Sequence, residues 1–366
     1  MTSYQGAKKP KVLWLTNLAT PYRIPLWKWL NQEVDLTLGM LRDPARNRFG
    51  DWDQDSLGVK TQFYMSPTLS IGRRAIYFPN GRLKKALKGD FDVFVLGGWE
   101  SPAYFYALWI AKRKGIRVIG HAGSTSFSSE FSGSAVAKLR SWFHRQLDFV
   151  VSYGTEATKF LVGMGVAESK ISTAFNSVDN TYFYQEISKL NRQPVNKIGH
   201  NFIFVGRLMP LKNIANIILA FNQIKQQGDT LRIIGRGKLR DELVEFNKSL
   251  DLESEVQFVD HKEPHELIQE YAVANTLILA STTEVWGLVV NEALVCGLNV
   301  VVSYRCGVSA DIAHMDGVYI SGSDSESIAS KMNESREHWS GPRENPAIIE
   351  YTIERYGKHF LEAINR

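Results

Sequence analysis

Cysteine is nearly absent. Cys296 and Cys306 are the only two in 366 residues, and they do not form a C-x-x-C pair. That argues against a disulfide framework or a thiolate zinc site and leaves two buried free thiols as the expectation. Long apolar runs are missing as well. The longest, Pro102 to Ala111, is about half of the roughly 20 residues needed to span a bilayer. Met1 to Pro10 is polar and basic with no apolar stretch behind it, so no secretory signal is expected and the chain reads as cytoplasmic. Metal-ligand patterns are scarce. His261 and His265 lack a partner of the H-E-x-x-H kind and read as loop residues. Asp51-Trp52-Asp53 and Asp53-Gln54-Asp55 imitate a D-x-D metal motif, but they lie in a polar loop between Gly50 and Gly58 rather than at the end of a hydrophobic strand. No metal is expected there. Short-period repeats and low-complexity tracts are absent.

The chain has 44% hydrophobic and 22% charged residues, which suits a packed globular protein. Its length suits two domains on the rough scale of 100–200 residues each. The formal charge is +5, and the excess is uneven. Ile71 to Gly89 holds Arg73, Arg74, Arg82, Lys84, Lys85 and Lys88 with no acid, and Lys112, Arg113, Lys114 and Arg117 follow unopposed. Tyr77 and Phe78 sit among the first set. Cations mixed with aromatics fit an anionic membrane surface, with the protein peripheral on its cytoplasmic face, or a polyanionic acceptor. A solvated basic face is the plainer alternative. No nucleic-acid motif accompanies the charge.

Strand-like apolar runs alternate with longer helical stretches throughout. In the first half they are 12–16, 34–40, 92–96, 117–120, 149–152 and 171–175. In the second they are 201–205, 231–234, 256–259, 276–280, 300–303 and 318–320. This alternation predicts an α/β chain with two Rossmann-like parallel sheets covered by helices. The expected boundaries are a first domain over 1–184, a polar linker over 185–200, a second domain over 201–345 and a C-terminal amphipathic helix within 346–366.

The notable polar residues fall just after strands, where doubly wound sheets bind ligands. Ser281-Thr-Thr-Glu284-Val-Trp-Gly287-Leu288-Val-Val-Asn-Glu292 follows a buried strand and opens a helix. Its turn presents free backbone N–H groups to an anion, and Glu292, one turn into the helix, leans back towards the same ligand. A carboxylate accepts hydrogen bonds from vicinal sugar hydroxyls. The segment therefore offers phosphate and hydroxyl contacts together, as a sugar nucleotide needs. Gly206-Arg207 with Lys212 closes another strand, where two cations suit a diphosphate whose charge grows as its glycosidic bond breaks. Alone, this segment reads better as a surface Arg and Lys at a helix start, and it is the glutamate segment that favours the diphosphate. Gly235-Arg236-Gly237 lacks the third glycine of a dinucleotide fingerprint. Arg236 either contacts a base or phosphate or belongs to a plain strand-to-helix turn. His121 ends the fourth strand and could donate to the sugar or to the leaving group. Asn17 to Arg23 and Gly97-Gly98-Trp99-Glu100 are strand-end loops. They place Asn17, Arg23, Trp99 and Glu100 on the acceptor side, with Thr20-Pro21 as a capped helix start.

Residues 171–322 resemble glycosyltransferase family 4, the retaining GT-B enzymes. The resemblance rests on the Glu284/Glu292 segment through Gly297, on Val205-Gly-Arg207-Leu-Met-Pro-Leu-Lys212-Asn213, on Gly235-Arg-Gly237, and on Asn176-Ser-Val-Asp179-Asn-Thr-Tyr-Phe183. In the N-terminal half only His121 maps well. Trp286 stands where phenylalanine is commoner, Asn299 where proline is usual and Asn275 where aspartate is usual. The Asn17 loop lacks the common glycine pair.

The resemblance implies two domains facing each other across a cleft, with the C-terminal helix crossing back to the first. It implies retaining transfer of a hexose-type sugar from a UDP- or GDP-sugar to a hydroxyl acceptor, in polysaccharide or glycolipid synthesis, with no metal or other cofactor. Arg207 and Lys212 would hold the diphosphate, Glu292 the ribose hydroxyls and Glu284 the transferred sugar. The backbone at Gly287 and Leu288 would meet phosphate, Gly206, Arg236 and Asn176 would join the donor contacts, and His121 would sit beside the sugar. A sugar-nucleotide epimerase of the same fold, or an inactive sugar-nucleotide-binding protein, is the rival reading.

Overall fold

A computed structural model describes residues 8–42, 57–71, 74–129, 134–190 and 199–366. The chain divides into two compact units. One comprises 1–124, 129–176 and 353–366, and the other 125–128 and 177–352.

The strands of the first unit are β1 (Lys11–Thr16), β2 (Asp35–Met40), β3 (Lys60–Phe63), the hairpin β4 (Thr68–Ile71) and β5 (Arg74–Tyr77), then β6 (Val93–Leu96), β7 (Arg117–Ala122), β8 (Phe149–Ser152) and β9 (Ile171–Thr173). Seven form a parallel sheet in the order β3-β2-β1-β6-β7-β8-β9. Its helices are α1 (Ile24–Glu33), α2 (Gly81–Ala86), α3 (Pro102–Lys114), α4 (Ala135–Gln146) and α5 (Thr155–Gly163). One face of the sheet packs against α2, α3, α4 and α5 through Leu83, Tyr104, Ala107, Phe143 and Leu161. The other packs against α1 and a C-terminal helix through Trp14, Trp27, Leu30 and Phe360. The central strand β6, VFVL, is buried at every position, as expected of a parallel strand covered on both faces.

The second unit contains α6 (Asn180–Ser188), β10 (Asn201–Val205), α7 (Ile214–Ile224), β11 (Thr230–Ile234), α8 (Arg240–Lys248), β12 (Val256–Val259), α9 (Pro264–Val273), β13 (Thr276–Leu279), α10 (Leu288–Val295), β14 (Asn299–Ser303), α11 (Ser309–Ile312), β15 (Val318–Ser321), α12 (Ser325–Glu337) and α13 (Pro346–Ile349). Its sheet is parallel in the order β12-β11-β10-β13-β14-β15. The C-terminal helix, α14 (Ile353–Asn365), belongs to the first unit. Tyr356, Phe360, Ala363 and Ile364 form its buried stripe, at the spacing an amphipathic helix requires.

The structure moves several boundaries. The division falls at Asn176–Ser177 rather than at 185–200, because α6 packs on α9 and α10. The apolar-run pattern predicts neither the short β3 nor the hairpin. Thr20 does not cap a helix with its side chain. Pro21–Arg23 is a single 3-10 turn ahead of α1. His265 lies in the first turn of α9 and not in a loop.

Candidate active site

In each sheet the strand order reverses once, between β1 and β6 and between β10 and β13. Loops leaving neighbouring strands diverge at such a point and open a crevice at the carboxyl ends. In the second unit the two loops are 206–213 and 280–287. They carry Arg207 and Lys212 on one side and Glu284 on the other.

The loops are stitched together. Thr282 N–H donates to the Leu211 carbonyl at 2.9 Å. Asn213 donates through Nδ2 to the Ala280 carbonyl at 3.0 Å and to the Ser323 carbonyl at 2.7 Å, and its backbone is left-handed, with φ of 60°. Asparagine tolerates that conformation better than most residues. Lys212 Nζ donates to Glu284 Oε2, in a pair whose side chains are only 15% and 20% exposed. A third loop completes the frame, with Gly307 N–H donating to the Glu284 carbonyl at 3.0 Å. Arg207 is exposed and has no ion pair or hydrogen bond among the described residues, so its guanidinium is available to a ligand.

Gly287 has φ of 105°, and a Cβ there would lie 2.6 Å from Leu279 Cδ2. Glycine is needed on both counts. The next residue starts α10, whose first-turn N–H groups face away from the helix body. Glu292 lies on the second turn. Tyr271 Oη, from α9, donates to Glu292 Oε2 at 2.7 Å. Burial pushes the Glu292 carboxyl up to about 7, against the opposing pull of that hydrogen bond. Burial likewise drives the Tyr271 phenol well above its ordinary value. Sequence reasoning missed Tyr271. It occupies an ordinary apolar position of an amphipathic helix, and only the fold brings its hydroxyl to Glu292.

Gly235-Arg236-Gly237 resolves towards its plainer reading. A Cβ on Gly235 would meet Gly206 O at 1.9 Å, and one on Gly237 would meet Leu208 O at 2.0 Å. These glycines let the ends of β10 and β11 run side by side, with Leu208 N–H bonded to the Arg236 carbonyl at 2.9 Å. The Arg236 side chain is exposed and lies 3.4 Å from Asp260.

In the first unit Asn17 and Glu100 meet across the switch point, Nδ2 to Oε1 at 3.2 Å, and Tyr104 Oη donates to Asn17 Oδ1 at 2.8 Å. Trp99 lies over Arg140. Arg23 donates to Tyr153 Oη and lies over the Tyr22 and Tyr153 rings. His121 is buried in an aromatic box. Its Nε2 shares a 2.6 Å hydrogen bond with Tyr356 Oη, and Trp14, Tyr153 and Phe360 surround the ring at 5.3, 4.7 and 5.1 Å. Nδ1 alone has no partner. Burial, with Arg23 nearby, holds the imidazole well below its ordinary pKa and therefore neutral. Tyr356 comes from α14, whose amphipathic character is visible in the sequence but whose destination is not. Asn176 is buried, and its N–H is bonded to the Tyr153 carbonyl.

Both cysteines are buried and neither is in a disulfide. Asp51 to Asp55 lie outside the described residues, as does Arg73. Among the described residues no group of three His, Cys, Asp or Glu is placed to hold a metal ion.

Residues 188–353 match the family model for glycosyl transferases group 1. This half of the chain is a group 1 glycosyltransferase domain. The glycosyltransferase domain contains the whole Arg207–Lys212–Glu284–Glu292 arrangement. Over 153 residues the chain is 24% identical to N-acetyl-alpha-D-glucosaminyl L-malate synthase of Bacillus anthracis, covering 41% of this chain and 40% of that relative. The matched part is thus under half the length of that protein. Among solved structures, Anabaena HepE in complex with UDP is similar with a TM-score of 0.76 and 17% identity, covering 97% of this chain and 99% of that one. HepE in complex with UDP-glucose is similar with a TM-score of 0.69 and 17% identity, covering 98% of this chain and 95% of that one. At that identity the likeness shows the fold, which is GT-B.

Proposed function

We propose that the chain is a retaining glycosyltransferase that moves a hexose from a nucleotide-diphosphate sugar to a hydroxyl acceptor. The observation that carries this reading is the Lys212–Glu284 pair bridging the switch point beside the start of α10, with Arg207 exposed on the same loop as Lys212. UDP-sugars are the first donors to test, since the similar HepE structures hold UDP and UDP-glucose.

In this reading the diphosphate sits against the N–H groups at Gly287 and Leu288, with Arg207 and Lys212 as its cations. Lys212 exchanges its Glu284 partner for phosphate, and Glu284 is freed to accept a sugar hydroxyl. Glu292 accepts the ribose hydroxyls. The acceptor hydroxyl oxygen forms a bond to the anomeric carbon on the face the diphosphate leaves. The bond from that carbon to the phosphate oxygen breaks, and the hydroxyl proton passes to the departing phosphate. Arg207 and Lys212 stabilise the charge that develops there. No side chain has to act as the base, and no metal is required, so EDTA leaves the rate unchanged. The first unit's switch-point residues Asn17, Arg23, Trp99 and Glu100 are assigned to the acceptor.

The test is transfer from UDP- and GDP-hexoses to an acceptor panel, with the product's anomeric configuration read by NMR. Retention in the wild type, and loss of transfer in both Glu284→Ala and Lys212→Ala, is expected. Normal turnover in both variants removes the site assignment. An epimeric sugar nucleotide formed without acceptor replaces the transferase reading with an epimerase. Donor binding without any turnover replaces it with a binding protein.

A further inference from the structure

Charge in the first unit is sorted by layer. α2, α3 and α4 pack on one face of the sheet and together carry nine Lys and Arg and no Asp or Glu. The opposite layer, α1 and α14, mixes Lys28, Arg355 and Lys358 with Glu33, Glu354 and Glu362. α5, the fourth helix on the basic side, balances Glu156 against Lys159. Arg140 is buried and Lys112 pairs with Asp148 at 2.6 Å, which leaves seven exposed cations of one sign on three neighbouring helices. This set adds Lys138 and Arg145 of α4 to the 71–89 and 112–117 runs that the sequence singles out.

The same helices expose large apolar side chains. Trp109 on α3 is 48% exposed, and Leu139 and Trp142 on α4 are 48% and 45% exposed. These belong to one surface. Phe105 of α3 stacks on Trp142 of α4, with ring centroids 6.2 Å apart and planes 1° from parallel. Tyr106 lies 5.6 Å from Trp109. Cations frame the rings, Arg113 lying 4.7 Å over Trp109 and Lys84 lying 5.7 Å over Tyr106. On α4 the exposed positions Lys138, Leu139, Trp142 and Arg145 interleave cation and hydrophobe along one side. A helix that buries one apolar stripe against a sheet and exposes a second beside cations has an unpartnered face. Among the described residues no helix is long and apolar enough to cross a membrane.

We propose that this α2–α3–α4 face docks on an anionic lipid surface, with Trp109 and Trp142 seated at headgroup level. The charge selects the lipid sign. The tryptophans, apolar in body and polar at the N–H, suit the boundary between headgroup and acyl chain. A soluble polyanion would engage the cations and leave the exposed Leu139 and the two tryptophans without a role. The inference rests on the first unit alone and is independent of the transferase reading. Lipid binding and UDP binding are separate readouts, so either can fail without the other.

The experiment is co-sedimentation of the full chain with vesicles of phosphatidylcholine alone and with vesicles made roughly one-third phosphatidylglycerol. Binding to the anionic vesicles, weak binding to the neutral ones, and release between about 0.05 M and about 0.5 M salt are expected. Each cation removed weakens binding about fivefold, so Arg113→Ala with Lys138→Ala lowers it about 25-fold. Trp109→Ser with Trp142→Ser weakens anionic-vesicle binding at fixed salt and abolishes most fluorescence quenching by brominated lipid. Unchanged thermal unfolding midpoints and circular dichroism spectra show that these variants are folded. Equal binding to both vesicle types, no binding at low salt, or unchanged binding in both double variants overturns the proposal. Retention by a soluble polyanion such as heparin without retention by vesicles also overturns it and reassigns the face.

Discussion

Tyr271→Phe separates the hydrogen bond to Glu292 from everything else Tyr271 does, because the ring keeps its packing against Phe183. The Tyr271 hydroxyl donates at 2.7 Å and favours the ionised Glu292 carboxyl, whose pKa burial has pushed up to about 7. A hydrogen bond to a charged group contributes about 1.5–3 kcal/mol. At about 1.4 kcal/mol per pH unit, its removal moves the Glu292 midpoint up by about one to two pH units. At pH 7 the wild-type carboxyl is about half ionised and that of the variant about one-tenth to one-hundredth ionised. If the ionised form holds the ribose hydroxyls, UDP affinity at pH 7 falls about fivefold to fiftyfold, and the two proteins converge towards pH 9.5. Calorimetric titration with UDP across pH 6 to 9.5 reads this directly. Taking the ratio of variant to wild type at each pH cancels the phosphate's own titration near pH 6. A variant-to-wild-type affinity ratio that stays flat with pH, or that falls as pH rises, refutes the role given to Glu292.

Glu292→Gln tests the same carboxyl through folding. Because its pKa is raised in the folded chain, the fold holds an extra proton between about pH 4.5 and 7, and wild-type stability declines as pH rises through that window. The variant lacks this decline. By thermal unfolding it is more stable than wild type at pH 8, by up to about 3 kcal/mol, and nearly equal at pH 4. His121 has the opposite sign, since its lowered pKa makes the unfolded chain the better proton acceptor below about pH 6.5. Wild-type stability should drop as pH falls from 7 to 5, and His121→Phe should flatten that drop in unfolding curves at the two pH values. Lys212→Ala and Glu284→Ala should be strongly non-additive in a double-mutant cycle of unfolding free energy. A coupling of about 1–3 kcal/mol is expected, because either single change leaves a mostly buried charge unpaired.

Much of this arrangement is legible in the sequence because parallel strands buried on both faces read as short apolar runs. All twelve such runs are strands, with ends displaced by only a residue or two. The Glu284–Glu292 segment is legible because a strand, a glycine turn and a helix start are local features. What escapes is non-local. β3 is a half-exposed edge strand with the sequence KTQF, which carries no apolar signal. The hairpin at Thr68–Tyr77 lies in a basic stretch whose charge dominates any reading of it. Thr125–Ser128 joins the second unit through contacts such as Phe127 against Tyr304, and no local pattern marks that excursion. The aromatic box around His121 draws Tyr356 from a helix 235 positions away in the chain. The basic surface is half visible: the 71–89 and 112–117 runs are plain, whereas the exposed face of α4 emerges only once its other face is known to be buried.

If the switch point of the second unit grips a nucleoside diphosphate, Arg207→Ala must loosen that grip. Arg207 is exposed and has no partner among the described residues, so its loss should leave the fold intact. Calorimetric titration of UDP into wild type and variant at one pH and salt should show micromolar-class binding weakened about tenfold to a hundredfold, the loss expected for a charge-assisted phosphate contact. Equal affinity in the two proteins would contradict the claim.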